Sequence, residues 1–169
     1  MRVKIIEREV LNPLADTDSK KIKINPIPKN IDALILFDNT KPNANIILDF
    51  ISKEIDFERL NKFNKPPGAP ASEEQIENVQ ADLAILASGD CGSCTTWLVL
   101  DAIKLEKQGT PTISICSNIF APFARELAKS YGAAELKIVE VKHPLAGQSE
   151  GIIRSRADQA IDQIKKMIS

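Results

Sequence analysis

The chain has 169 residues, with 43% hydrophobic and 27% charged side chains and a net charge of -1. That length supports one domain, residues 1–169, able to bury a stable core without disulfide or metal staples. The near-neutral charge offers no basic face for nucleic acid or anionic lipid, and no apolar run reaches the roughly 18 residues that span a bilayer, so neither partner is expected.

The N-terminal stretch "MRVKIIEREVLNP" alternates apolar and charged residues and lacks the continuous apolar core of a signal peptide, so a cytoplasmic location is expected. Residues 1–30, with Pro13, Pro26 and Pro28, read as an arm that covers a sheet edge or a neighbouring subunit. "IDALILFD" (31–38) is a buried strand, and "NANIILDFISKEI" (43–55) behind it sets Ile46, Ile47, Phe50, Ile51 and Ile55 on one helical face. "FERLNKF" suits an edge strand, residues 64–71 form a proline-rich loop, and Ser72 opens a short helix with Glu73 and Glu74 in its first turn. "ADLAILASG" (81–89) is the next strand, followed by a helix through Lys107 that stops at Gly109 and Pro111 and has Asp101 and Glu106 on its polar face. "PTISICS" (111–117) and "LKIVEVKHP" (136–144) are strands, separated by the helix "APFARELAKSYG" with Gly132 as its C-cap. A terminal helix then carries Ile153, Ala157, Ala160, Ile161, Ile164 and Ile168 toward the sheet. Strands alternating with amphipathic helices predict an α/β fold: an open, mainly parallel sheet of four to five strands with helices on both faces, flavodoxin-like or Rossmann-like.

In such a sheet, the loops that follow the strands emerge on one rim, where ligands bind. The four clear strands end at "FDNTKPN", "SGDCGSC", "ICSNIF" and "VKHPLAG", which puts all three cysteines, Cys91, Cys94 and Cys116, and the one histidine, His143, at that rim. Cys91 and Cys94 lie at or just before a helix N-terminus, where free N–H groups favour a thiolate and two intervening residues keep the sulfurs within disulfide reach. The spacing alone leaves three uses open: a redox or nucleophilic pair, a metal site, or a structural turn. Gly89 would let a substrate approach the backbone, and Trp97 reads as packing or a wall of the site. His143 either ends its strand or serves as a proton donor or orienting group. Asn39, Lys41, Asp90 and Cys116 are candidate substrate contacts; Asn39 and Lys41 suit a carboxylate or phosphate, although Lys41 reads first as a solvated loop lysine and Cys116 first as a small buried hydrophobe. There is no G-x-G-x-x-G after a strand and no phosphate-binding G-x-x-x-x-G-K-[ST], and no cofactor is expected.

"GDCGSCTTWLVLDAIKLEKQGTPT", with "DNTKPNAN" upstream and "KHPLAGQSE" downstream, closely resembles the UGSC-motif proteins, in which selenocysteine or cysteine occupies the position of Cys91. A more distant similarity, over about residues 87–147, links the chain to the selenoprotein subunit (component B) of glycine, sarcosine and betaine reductases. A position that accepts selenocysteine implies a strong nucleophile. The resemblance therefore implies a thiol-dependent oxidoreductase or reductive lyase acting on a small polar metabolite, with Cys91 attacking, Cys94 resolving or supporting it, and His143 at the rim. A thiol-reducing partner protein and a homo- or hetero-oligomer go with that expectation. The alternatives are a zinc-binding protein using Cys91, Cys94, Cys116 and His143, or a non-catalytic subunit of a heteromeric reductase.

Overall fold

The computed structural model describes residues 21–168. Ten elements alternate along them: β1 (Ala33–Asp38), α1 (Ala44–Ser52), β2 (Arg59–Asn64), α2 (Glu73–Glu77), β3 (Leu83–Gly89), α3 (Gly92–Lys107), β4 (Thr112–Ser117), α4 (Ala121–Ser130), β5 (Ile138–Val141) and α5 (Glu150–Ile168). The strands form one sheet in the order β2-β1-β3-β4-β5, and every pairing is parallel. This is the flavodoxin-like order, in which the direction of winding reverses between β1 and β3.

Both faces of the sheet are covered, which is why β3 (LAILASG) and β4 (TISICS) are buried at every position and carry no period-2 alternation. On one face α1 and α5 pack Ile47, Leu48, Ile51, Ile153, Ala157 and Ile164 against Leu34, Leu36, Ile85 and Ile115. On the other, α2, α3 and α4 pack Ile76, Leu98, Ala102 and Ala124 against Ile35, Phe37, Ala84 and Leu86. The expected edge strand is β2, with Leu60 and Phe63 half-buried on opposite faces and its other residues exposed. Gly109 (φ +101°) and Gly132 (φ +81°) end α3 and α4 in left-handed turns. After α3, Gly109 N–H donates to Glu106 O (3.1 Å) and Thr110 N–H to Leu105 O (3.0 Å); Gly132 and Ala133 repeat the pattern after α4. Ser72 caps α2 as expected, and its partner Gln75 completes a reciprocal capping box.

One sequence expectation changes. Asp101 and Glu106 are not on a solvated face: they are 0% and 2% exposed, and each ties a distant segment to α3. Glu106 accepts from Thr112 N–H (2.7 Å) and its hydroxyl (2.8 Å) through Oε1, and from Asn25 N–H (2.7 Å) and its amide (2.8 Å) through Oε2. Asp101 accepts the Ala71 N–H (2.7 Å) and faces the buried Lys65 ammonium at 3.8 Å, so the end of the proline-rich loop is fastened to α3. Glu106 collects several donors and so can sit inside the fold, whereas Asp101 has one hydrogen bond and the opposite charge of Lys65; helical periodicity cannot foresee partners such as Asn25 and Ala71, 81 and 30 residues away. The arm lies only partly within the described residues. Its described part packs on its own chain: Ile22 N–H donates to Gly132 O (2.9 Å), and Ile22 and Ile24 pack against the α3–α4 core. Residues 1–20 of the expected arm lie outside the described residues.

Candidate functional site

The site forms where the loops after β1, β3, β4 and β5 meet, beside the β1–β3 reversal. Cys91 leaves β3 in an extended conformation (φ −152°, ψ 168°) and is the N-cap of α3. Its sulfur accepts the Cys94 N–H at 3.2 Å, the position a serine or aspartate oxygen takes in an ordinary cap. Its carbonyl accepts both the N–H (3.0 Å) and the hydroxyl (2.7 Å) of Thr95. Cys94, in the first turn, is 2% exposed, and its sulfur receives the Asp90 N–H at 3.3 Å. The two sulfurs are paired, with Cα atoms 5.3 Å apart. With no acidic residue in its first turn, α3 leaves the positive end of its dipole on this pair.

Asp90 joins the pair to the β5–α5 loop. Its Oδ1 lies 2.9 Å from His143 Nδ1, and its Oδ2 accepts the N–H groups of Leu145 (2.8 Å) and Ala146 (3.0 Å). His143 Nδ1 is also 3.1 Å from the Ser117 hydroxyl, and its backbone N–H donates to Asn118 Oδ1 (2.9 Å). The Phe120 ring stands 5.8 Å from the imidazole, centroid to centroid. Asn43, the N-cap of α1, donates its amide to Leu145 O (2.8 Å) and Gln148 O (3.1 Å). The segments "DNTKPNAN", "GDCGSC" and "KHPLAGQSE", far apart in sequence, are thus bonded to one another.

The other expected contacts divide. Asn39 is 2% exposed, and its amide bonds the Ser88 backbone on both sides, accepting N–H and donating to O at 2.9 Å each, so it holds β1 to β3 across the reversal. Lys41 is half-buried in a loop where Thr40 (φ +57°) and Asn43 (φ +65°) take left-handed conformations, which is strained for a β-branched threonine. Thr40 keeps it by accepting no compromise in bonding: its N–H reaches Asp38 Oδ1 (2.7 Å) and its hydroxyl Asn39 O (2.7 Å). Trp97 is half-buried. Cys116 is a core residue, fully buried, and burial pushes its thiol up to about 12. Gly89 lies directly beside it: a Cβ there would stand 2.6 Å from Cys116 Sγ, so the glycine makes room for this sulfur.

The cysteines and histidine do not converge as a zinc set, because Cys116 is sealed in the core while Cys91 and Cys94 pair with each other. Among the described residues no group of three or more His, Cys, Asp or Glu side chains is placed to hold a metal ion. A cavity of about 650 Å³ lies at the opposite end of the sheet, lined by Lys21, Asn25, Glu106 and Tyr131 and by none of the rim residues. No described helix is long and apolar enough to cross a membrane.

Sequence reasoning placed the cysteines and His143 at one rim but missed Ser117, Asn118 and the linking role of Asp90. The signal available was an acid at one strand end and the single histidine at another, with nothing to say that they touch. The UGSC family model matches residues 9–169 of the chain. No curated protein and no solved structure matches it.

Proposed function

The chain belongs to the UGSC family, and from that premise we propose that it is a thiol-dependent oxidoreductase or reductive lyase acting on a small polar metabolite. Cys91 is the nucleophile and Cys94 the resolving thiol. The observation that carries this reading is the meeting of the two sulfurs at the N-terminus of α3, on the rim where open α/β sheets take their ligands. Helix N–H groups stabilise a thiolate at Cys91, and the buried Cys94 is close enough to attack a bond formed there.

The chemistry balances as follows. The Cys91 thiolate displaces a leaving group X⁻ from substrate R–X and forms a Cys91–S–R adduct. The Cys94 thiolate then attacks the Cys91 sulfur, R leaves with the bond's electron pair and takes a proton, and the Cys91–Cys94 disulfide remains. A dithiol donor returns it to two thiols, so the net reaction is two-electron reduction of R–X to R–H. The distant resemblance of the sequence to reductase subunits supports the reductive direction.

The test is alkylation of the reduced protein with iodoacetamide, followed by intact and peptide mass analysis. Cys91 should label first and faster than a model thiol; labelling no faster than the model thiol rejects the nucleophile. Incubation with a metabolite extract should then leave an adduct on Cys91 whose lifetime Cys94→Ser prolongs, and an adduct indifferent to that substitution rejects the resolving role.

A further inference from the structure

Asp90 has a bonding pattern that dictates the protonation of His143. An ionised carboxylate only accepts hydrogen bonds, so the 2.9 Å contact from Oδ1 to Nδ1 requires the proton on Nδ1. The Ser117 hydroxyl, 3.1 Å from the same nitrogen, has the Gly89 carbonyl as its acceptor at 3.4 Å and can share the Nδ1–H. Nδ1 is therefore committed inward. No described residue hydrogen-bonds Nε2, and the side chain is 33% exposed while the Asp90 carboxylate is 8% exposed. Asp90 is also rigid. Its Oδ2 is held by two backbone N–H groups, and its own N–H is engaged by Cys94 Sγ, so the carboxylate is fixed at both ends of the residue that precedes the nucleophile.

We propose that Asp90 is a positioning residue that locks His143 in the Nδ1–H tautomer, which leaves Nε2 as the basic, unengaged nitrogen of the imidazole. This deepens the proposed function by giving the rim that carries Cys91 a basic nitrogen, but the tautomer stands by itself. The carboxylate assignment also makes a specific demand of Asp90→Asn. The one amide oxygen would be claimed by the N–H groups of Leu145 and Ala146, and the amide NH₂ would then point at Nδ1. Only an acceptor at Nδ1 satisfies that donor, so the neutral ring would move its proton to Nε2 and lose the basic atom, the same fault that the wrong tautomer causes in serine proteases.

Because the chain has one histidine, its imidazole ¹⁵N signals are unambiguous. In the reduced wild-type protein with a neutral ring, Nδ1 should show a pyrrole-type shift and Nε2 a pyridine-type shift, and Asp90→Asn should exchange them. A wild-type spectrum with the proton on Nε2 overturns the proposal without any variant. A wild-type Cys91 that labels no faster than a model thiol, with the Nδ1–H tautomer present, instead rejects the proposed function and leaves the Asp90 assignment standing.

Discussion

Replacing Gly89 by alanine tests whether this glycine serves the core or the substrate. An ideal Cβ at position 89 would stand 2.6 Å from Cys116 Sγ, 3.1 Å from Thr95 Oγ1 and 3.3 Å from Leu98 Cδ2. None of these neighbours yields cheaply. Cys116 is fully buried, Thr95 is held by its 2.7 Å bond to the Cys91 carbonyl, and Leu98 is fully buried in α3. Overpacking of this kind costs about 1–3 kcal/mol, and the contact with sulfur, far inside van der Waals distance, puts Gly89→Ala at about 2–3 kcal/mol. Cys116→Ala removes the offending atom at a cost of about 1 kcal/mol of its own for the lost burial. In the double variant the worst clash is gone and only the two contacts above 3 Å remain, so the double should be more stable than the two single effects predict, by about 1–2 kcal/mol. Urea denaturation followed by far-UV circular dichroism, at unchanged m-value, measures all four corners of the cycle. A Gly89→Ala protein within about 0.5 kcal/mol of wild type, or strictly additive effects, refutes the packing argument, since that is the ordinary range for a site away from any such feature.

Three further outcomes follow from the buried polar groups. Cys116, with its thiol pushed up to about 12 by burial, should resist iodoacetamide in the native protein and label only after denaturation, as peptide mass analysis will show; native labelling at the Cys91 rate would contradict its placement. Burial raises Asp101 from 3.8 to about 6, against the Ala71 N–H and Lys65, which pull it down. The folded state therefore holds a proton that the unfolded chain has released, and this contribution is complete below about pH 4 and lost as pH rises to about 6, a change of at most about 3 kcal/mol. The difference in urea stability between wild type and Asp101→Asn should vary over that window, and a flat difference removes the assignment. Glu106→Gln should cost about 2 kcal/mol or more, because its NH₂ must meet donors from Asn25 or Thr112; a neutral result by urea denaturation would restore the solvated-face reading.

Much of the fold was legible because each element announces itself locally. The apolar runs of β1, β3 and β4 are buried on both faces, Gly109 and Gly132 mark left-handed helix ends, and Ser72 caps α2. The rim position of Cys91, Cys94 and His143 was legible as well, since in a parallel sheet the direction of the chain alone puts every strand's exit on one side. Neither the strand order nor the pairing of loops follows from such signals. Asn39 reads as a ligand group until Ser88 is found on both sides of its amide, and Asp90 reads as a rim acid until His143 stands at 2.9 Å.

The sequence by itself determined the alternation of strands and helices, the side of the sheet on which chemistry can occur, and the pair of cysteines at a helix start. These depend on periodicity and on neighbours within a few residues. Tertiary structure decided which polar side chains are structural and which remain available. It sank Asp101, Glu106 and Asn39 into the interior on donors from distant segments, buried Cys116 over Gly89, and gave Asp90 to His143. Burial of a polar group costs least when partners satisfy it, and those partners arrive from wherever the fold brings them.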